Sequence, residues 1–347
     1  PSKFLIQAAH VASPHNNDPP FRGIHSVTDR VTNFTALTAQ NRALVEGLRQ
    51  EKYANVIANL DNVEYIEGLG RLTRKAEQLV VEVRSSHEDQ TPSKILPADR
   101  VILASGVRTS LPSQLAADLA KIEYLTNETA YFEPKRPESL IVLGGGYIAL
   151  EAAQMYARLG SKVTILQRSE YVLSSLEHDV SSDLAEHFKV EGIDVEVGVD
   201  ITSVVSSEDG VIVKGNFGTN ERTFKASRLF IATGRRANTE HISDLPIKLV
   251  STLHGRFVVS NTLQTTFTLL PPKGNSLRSM LWEHSVAENQ GIWTTQPFRG
   301  SSLHLPLSQA LALIFQKLVP RESMPKHRLS LFIFFPELLY NSTHEVS

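Results

Sequence analysis

The sequence has no cysteine in 347 residues. That absence excludes disulfides, thiolate metal sites, iron–sulfur clusters and any thiol nucleophile within the chain. Long apolar runs are also missing, so no bilayer-spanning segment is expected. No basic, apolar leader opens the chain, and the expected location is the cytoplasm. An excess of one charge is lacking too. The 35 Lys and Arg against 37 Asp and Glu leave a net charge of −2, which gives no electrostatic reason to expect nucleic acid or an anionic membrane as a partner. The 12 histidines stand singly, without a His-Glu-x-x-His pattern, and no metal site is expected. What remains is 41% hydrophobic and 21% charged, the composition of a globular chain long enough for two or three domains.

The most informative stretch is residues 139–151, Ser-Leu-Ile-Val-Leu-Gly-Gly-Gly-Tyr-Ile-Ala-Leu-Glu. An apolar run of strand length precedes the glycines, and Ile148, Ala152, Met155 and Leu159 then recur at helical spacing until Gly160. The β-branched run Lys162-Val163-Thr164-Ile165-Leu166 follows, which closes a βαβ unit. In that context the glycines have distinct tasks. Gly144 permits a tight turn beside Gly145, Gly146 lets a pyrophosphate approach the backbone, and Ala149 keeps the helix close to the strand, with Tyr147 and Ile148 opening a helix whose N-terminus favours anions. A dinucleotide site is the expectation. Where an NAD site commonly carries Asp or Glu, at the end of the second strand, the sequence reads Gln167-Arg168-Ser169. A guanidinium without a carboxylate suits a 2′-phosphate, so NADP(H) is expected over NAD(H), with Glu170 as the residue that opposes this reading.

Along the rest of the chain, residues 4–9 read as an amphipathic helix with Pro1 at its first turn. Residues 14–20 form a proline-bearing loop, and residues 33–60 one long helix carrying Leu37, Leu44 and Leu48. Val63-Glu64-Tyr65-Ile66 and Leu79-Val80-Val81-Glu82-Val83 alternate as strands of a small antiparallel sheet. A buried strand over residues 99–106 ends in Ala104-Ser105-Gly106, and a near twin, Ala232-Thr233-Gly234, follows Leu229-Phe230-Ile231; the two copies suggest two related nucleotide-binding lobes. A helix over about 179–191 and strands around Val195, Val204 and Val211 are expected to complete the second lobe's sheet, and residues 255–259 form one more strand. After Thr266 the regular rhythm stops, and Leu331-Phe332-Ile333-Phe334-Phe335 reads as a sticky tail segment. Asn341-Ser342-Thr343 is a glycosylation sequon by chance.

These pieces resemble the class I pyridine nucleotide-disulfide oxidoreductases, and within that family the mercuric reductase branch most closely, with dihydrolipoamide dehydrogenase and glutathione reductase more distant. The resemblance rests on residues 1–3, 99–106, 124–128, 139–151, 159–169, 232–235 and 255–266. It implies an α/β fold in which a Rossmann-like NAD(P)-binding lobe (136–240) is inserted in an incomplete FAD-binding lobe (1–110 and 241–266), with 267–347 as an unmatched tail. It further implies hydride transfer from NADPH to flavin, with Tyr147 over the flavin, Glu151 near the nicotinamide and Lys3 pairing with Glu151 beside the flavin ring, where an ammonium favours the reduced anionic ring. Ser105, Gly106, Ala232, Thr233 and Gly234 are the implied cofactor-binding turns. The family's first glycine loop for FAD, its redox cysteine pair, the flavin-contacting segment after Thr266 and the dimer interface are not found in the sequence. The expectation is therefore an incomplete or inactive form of an FAD-dependent NAD(P)H oxidoreductase, or alternatively a non-catalytic NADP(H)-binding fragment or a relative of the dihydrolipoamide dehydrogenase and glutathione reductase kind.

Overall fold

The computed structural model describes residues 1–13, 33–239 except 62, 76, 77, 87, 88, 90, 99 and 100, and also 248, 249, 255–258, 267, 268 and 281–283. In chain order the elements are α1 (Ser2–Ala12), α2 (Phe34–Arg49), β1 (Leu69–Lys75), β2 (Gln78–Arg84), β3 (Lys94–Ala98), β4 (Val101–Leu103), β5 (Ser139–Leu143), α3 (Tyr147–Arg158), β6 (Lys162–Leu166), α4 (His178–Val190), β7 (Asp194–Glu196), β8 (Asp200–Ser207), β9 (Gly210–Phe217), β10 (Asn220–Ala226), β11 (Arg228–Ile231) and β12 (Leu281–Glu283). The chain divides into two compact units, Pro1–Glu51 with Thr109–Arg235, and Lys52–Arg108 with Arg236–Ser347.

The first unit is built on a four-stranded parallel sheet in the order β11-β5-β6-β7. Parallel strands need crossovers; α3 and α4 supply two of them, and the chain between β7 and β11 passes through β8, β9 and β10. Being covered, β5 reads as a nearly continuous apolar run, with Leu140, Ile141, Val142 and Leu143 all buried. Leu125 extends the sheet by a parallel bridge to Phe230, donating to the Leu229 carbonyl at 2.7 Å and accepting from Ile231 at 2.8 Å. On one face, Ala149, Ala152, Ala153, Met155 and Tyr156 of α3 join Leu5 and Ala9 of α1 and Phe34 of α2 in a single core. The N-terminal helices thus pack with the βαβ block, and residues 1–51 belong to the same compact unit. Burial of the larger of these side chains, Leu5, Phe34 and Met155, contributes about 1.5–3 kcal/mol each. The one polar atom Tyr156 brings inside, its hydroxyl, donates to the Ala130 carbonyl at 2.7 Å, and Asn41 Nδ2 donates to the Tyr131 carbonyl at 2.9 Å. Asn33 caps α2 by accepting from the Ala36 amide, and the chain stays helical through Ala58.

On the opposite side of the sheet the strands around Val204 and Val211 do not complete it. β8, β9 and β10 form their own antiparallel sheet, in the order β10-β9-β8. Ser207 opposite Gly210 and Phe217 opposite Asn220 mark two-residue hairpins, and each hairpin gives its strands an antiparallel partner adjacent in sequence.

In the second unit β1, β2 and β3 form an antiparallel sheet. The strand expected over Val63-Glu64-Tyr65-Ile66 is instead β1. Lys75 stands opposite Gln78, and this register pairs Leu79–Val83 with residues 70–74. Leu72, Leu79, Val81, Val83, Val101, Leu103 and Phe257 form its core. β12 pairs in parallel with β4, and residues 248–249 pair with 267–268. The strand expected over 255–259 is reduced, among its described residues, to a single bridge at Phe257. The loop at 14–20, residues 264–266, the 331–335 run and the sequon at Asn341 lie outside the described residues. No helix among the described residues is long and apolar enough to cross a membrane.

Candidate functional site

The turn between β5 and α3 is held from both flanking strands. The Gly144 amide donates to the Leu166 carbonyl at the end of β6, and the Ala232 amide at the end of β11 donates to Leu143, each at 2.9 Å. Gly144 has φ +113°, and a Cβ there would stand 2.4 Å from the Ala232 carbonyl oxygen, so both the turn and the close approach demand glycine. Gly145 is buried, with Gln167 against it; a Cβ would meet that side chain at 3.0 Å. Gly146 differs: its φ is −86°, and a Cβ would meet nothing within 4 Å. Open space therefore lies where α3 begins. No side chain caps that helix, so its first amides are left for water or an anion, on the positive end of the helix dipole. Ala149 is fully buried, which lets α3 lie close to the strands.

A strap that the sequence reading did not single out also bears on this turn. After β6 the chain folds back so that Leu173 donates to the Gly145 carbonyl at 2.8 Å, with φ +47°, a conformation bulky residues rarely adopt. A planar trans peptide sends its N–H opposite its C=O, so pinning the Gly145 carbonyl aims the Gly146 amide away from the strap. No local sequence signal marks residue 173, because leucine is a poor choice for positive φ. Its side chain is 8% exposed, and burial holds it there.

At the end of β6, Gln167 donates to the Glu196 carbonyl at 2.8 Å, Val199 donates to Gln167 at 3.0 Å and Gly198 to Ser169 at 2.9 Å. Arg168 and Glu170 are exposed, and neither forms an ion pair among the described residues. Glu196 is engaged: Arg222 of β10 donates to both its carboxylate oxygens, at 2.8 and 2.6 Å. That hydrogen-bonded pairing raises the pKa of the guanidinium.

Tyr147, the first residue of α3, is 45% exposed. One turn further, Glu151 accepts from Lys3 Nζ at 2.7 Å, across from α1 to α3, with both side chains open to solvent. The Tyr131 phenol lies close enough to feel that carboxylate: burial first and the Glu151 charge second push its pKa up to about 12. Thr233 donates through Oγ1 to the Ser110 carbonyl at 2.6 Å, and the Ser110 amide donates to Gly234 at 2.9 Å, so this turn (φ +133° at Gly234) is closed within the first unit. The matching turn of the second unit, with φ +67° at Gly106, is closed by Asn238, which donates from its amide side chain to Ser105 at 3.0 Å and from its backbone to Gly106 at 3.1 Å. Among the described residues no cluster of three or more His, Asp or Glu is arranged to hold a metal.

The sequence profile described as pyridine nucleotide-disulphide oxidoreductase matches residues 2–270. A mercuric reductase from Lysinibacillus sphaericus is 27% identical over 315 residues, covering 91% of this chain and 55% of that protein. One from Shewanella putrefaciens is 30% identical over 315 residues, covering 91% and 54%. The likeness to both therefore runs past residue 266. Among solved structures, the HOCl-induced flavoprotein disulfide reductase RclA from Escherichia coli aligns with a TM-score of 0.59 at 19% identity, over 81% of this chain and 54% of that one, a likeness of fold. The chain spans about half the length of these relatives.

Proposed function

Since the chain belongs to the pyridine nucleotide-disulphide oxidoreductase family, we propose that it binds NADP(H) at the turn between β5 and α3 and forms the nicotinamide-nucleotide part of a flavin-dependent reductase of the mercuric reductase kind. The observation that carries this reading is the cradle itself. Gly144 is locked by backbone on the strand side, the space over Gly146 is open, and the first turn of α3 has no side-chain cap. The amides of Tyr147, Ile148 and Ala149 would face the pyrophosphate. Arg168 would meet the 2′-phosphate, with Gln167 and Ser169 beside it as neutral neighbours. Tyr147 and Glu151, on the same helix, would lie toward the nicotinamide, with Lys3 balancing the Glu151 charge. Bound NADPH supplies a hydride, and in this family a flavin accepts it. Among the described residues of the second unit no glycine cradle like that at Gly144 is present, so FAD enters this reading from the family alone.

Fluorescence titration of the 347-residue chain with NADPH and NADH tests the assignment. Tighter NADPH binding, with the preference lost in Arg168→Ala, supports it. Equal affinities in the unaltered protein overturn the Arg168 role, and no binding of either overturns the site.

The absence of cysteine favours a second reading for the chain taken alone, in which it binds NADP(H) and hands no electrons to thiols or mercury. The visible absorption spectrum before and after anaerobic NADPH separates the two. A flavin band that bleaches supports the reductase, and a colourless protein that still binds NADPH supports the binding unit.

A further inference from the structure

The Gly145–Gly146 peptide has a glycine on each side, so the torsions that turn its plane over meet no Cβ at either end. Sterics within the turn therefore do not choose which of its polar groups, the Gly145 carbonyl or the Gly146 amide, faces outward. A flip exchanges the two, because a trans peptide carries them on opposite edges. The choice matters to an anion: an N–H donates to a phosphate oxygen, and a carbonyl repels it. On either side of this peptide the backbone is tied down. The Gly144 amide is bonded to Leu166, and the Gly146 carbonyl accepts from Leu150 at 3.0 Å. The Gly145 carbonyl is held by the Leu173 amide at 2.8 Å. Leu173 reaches it from a strap that is itself anchored. Val172 and Leu173 are buried in the core that contains Ala149 and Leu150 of α3, and the Leu176 amide closes the bend onto the Leu173 carbonyl at 2.8 Å. Leucine takes φ +47° here against its preference, and the bend delivers an N–H to the turn. On the far edge of the same peptide Gly146 is exposed, and its amide has no acceptor among the described residues.

We infer that Leu173 is a positioning residue for pyrophosphate binding: its backbone N–H holds the Gly145–Gly146 peptide in the orientation that presents an amide, and not a carbonyl, to the phosphates. The inference rests on the dinucleotide reading above and names what sets the polarity of its cradle. The pyrophosphate is common to NADPH and NADH, so the strap acts on both alike and has no part in the choice made at Arg168.

The test measures NADPH, NADH and adenosine 2′-monophosphate dissociation constants for the 347-residue chain, for the chain with leucic acid in place of Leu173, and for Leu173→Gly. The hydroxy acid keeps the side chain and replaces the N–H by an ester oxygen, which repels the Gly145 carbonyl. Glycine removes the side chain, keeps the N–H and is at ease at positive φ. The expected result for the ester is an equal weakening of NADPH and NADH, about tenfold or more, since one charge-assisted hydrogen bond is lost and a carbonyl takes its place. Adenosine 2′-monophosphate, which lacks the pyrophosphate, binds as before. Leu173→Gly, measured well below its melting temperature, keeps more of the dinucleotide affinity than the ester does. In protein labelled at glycine nitrogen, the Gly146 amide proton, assigned by its loss in Gly146→Ala, moves downfield on NADPH addition in the unaltered chain and stays in place in the ester. A merely structural role weakens all three ligands together, or makes Leu173→Gly as damaging as the ester, and either pattern overturns the inference. So does an ester that binds both dinucleotides as the unaltered chain does. If the ester does not fold, the Gly146 signal decides: a downfield shift when NADPH binds the unaltered chain supports the inference, and no shift overturns it. Equal NADPH and NADH affinities in the unaltered chain, both weakened in the ester, overturn the Arg168 role and still support the strap. Binding of neither nucleotide overturns both.

Discussion

Gly144 and Gly146 sit two residues apart in one turn, yet their replacement by alanine should fail in opposite ways. At Gly144 an alanine must hold φ near +113°, a region that costs a side-chain-bearing residue about 1–3 kcal/mol. Its Cβ would also arrive 2.4 Å from the Ala232 oxygen. That carbonyl cannot retreat freely, since the Ala232 amide is bonded to Leu143 at 2.9 Å, and weakening such a bond costs about 1 kcal/mol more. The total is about 2–4 kcal/mol, a large share of the 5–15 kcal/mol that holds a typical domain together. For a unit of this size each kcal/mol lowers Tm by about 2–4 °C, so Gly144→Ala should melt roughly 4–16 °C lower. At Gly146 the φ of −86° suits alanine and no atom lies within 4 Å of its Cβ. Stability should be unchanged or raised by up to about 1 kcal/mol, while NADPH affinity falls about tenfold or more as the Cβ enters the pyrophosphate space and one charge-assisted hydrogen bond of ~1.5–3 kcal/mol is lost. Thermal melts followed by circular dichroism, paired with NADPH titrations, read both. The reasoning is refuted if Gly144→Ala melts with the unaltered protein, or if Gly146→Ala loses stability and keeps its NADPH affinity.

The buried Tyr131 phenol ionises near 12 in the folded chain against 10 when unfolded, so its stabilising preference for the protonated state is complete below pH 10 and is lost as pH rises through 12. Two pKa units correspond to about 3 kcal/mol, and Tyr131→Phe should flatten that alkaline loss in denaturant melts. The Lys3–Glu151 pair is exposed at 79% and 43%, so Lys3→Gln should cost less than about 1 kcal/mol in the same melts. A larger loss would show the pair to be a structural brace. Arg158 donates to both oxygens of Glu191, at 2.7 and 2.6 Å, with both side chains mostly buried. Arg158→Ala should therefore destabilise by about 1–3 kcal/mol, and NADPH affinity measured well below the melting temperature should stay as it was.

The parts of this molecule that could be read directly were those whose causes are contiguous. The run from Ser139 to Leu166 specifies strand, turn, helix and strand because side-chain spacing and three glycines act within a few residues of one another. α1, α2 and α4 are legible for the same reason. Val63–Ile66 misleads because alternation shows only that a segment could be a strand, whereas the partner that β2 takes, in the register that sets Lys75 opposite Gln78, decides which segment is one. Likewise the valines of β8 and β9 announce strands, and the hairpins at Gly210 and Asn220 decide that they form a separate sheet.

By itself the sequence determined that no cysteine thiol is present in the chain and that a strand, a glycine turn and a helix follow one another from Ser139 to Arg158, since composition and local backbone demands need no distant partner. Only the tertiary structure decided what surrounds that turn. Ala232 crowds any Cβ at Gly144 across 88 residues, Leu173 pins the Gly145 carbonyl, Lys3 reaches Glu151, and Arg222 pairs with Glu196. Each depends on two groups meeting across elements that are far apart in the chain. Backbone conformation is encoded residue by residue, but a charge acquires its meaning from whatever the fold sets beside it.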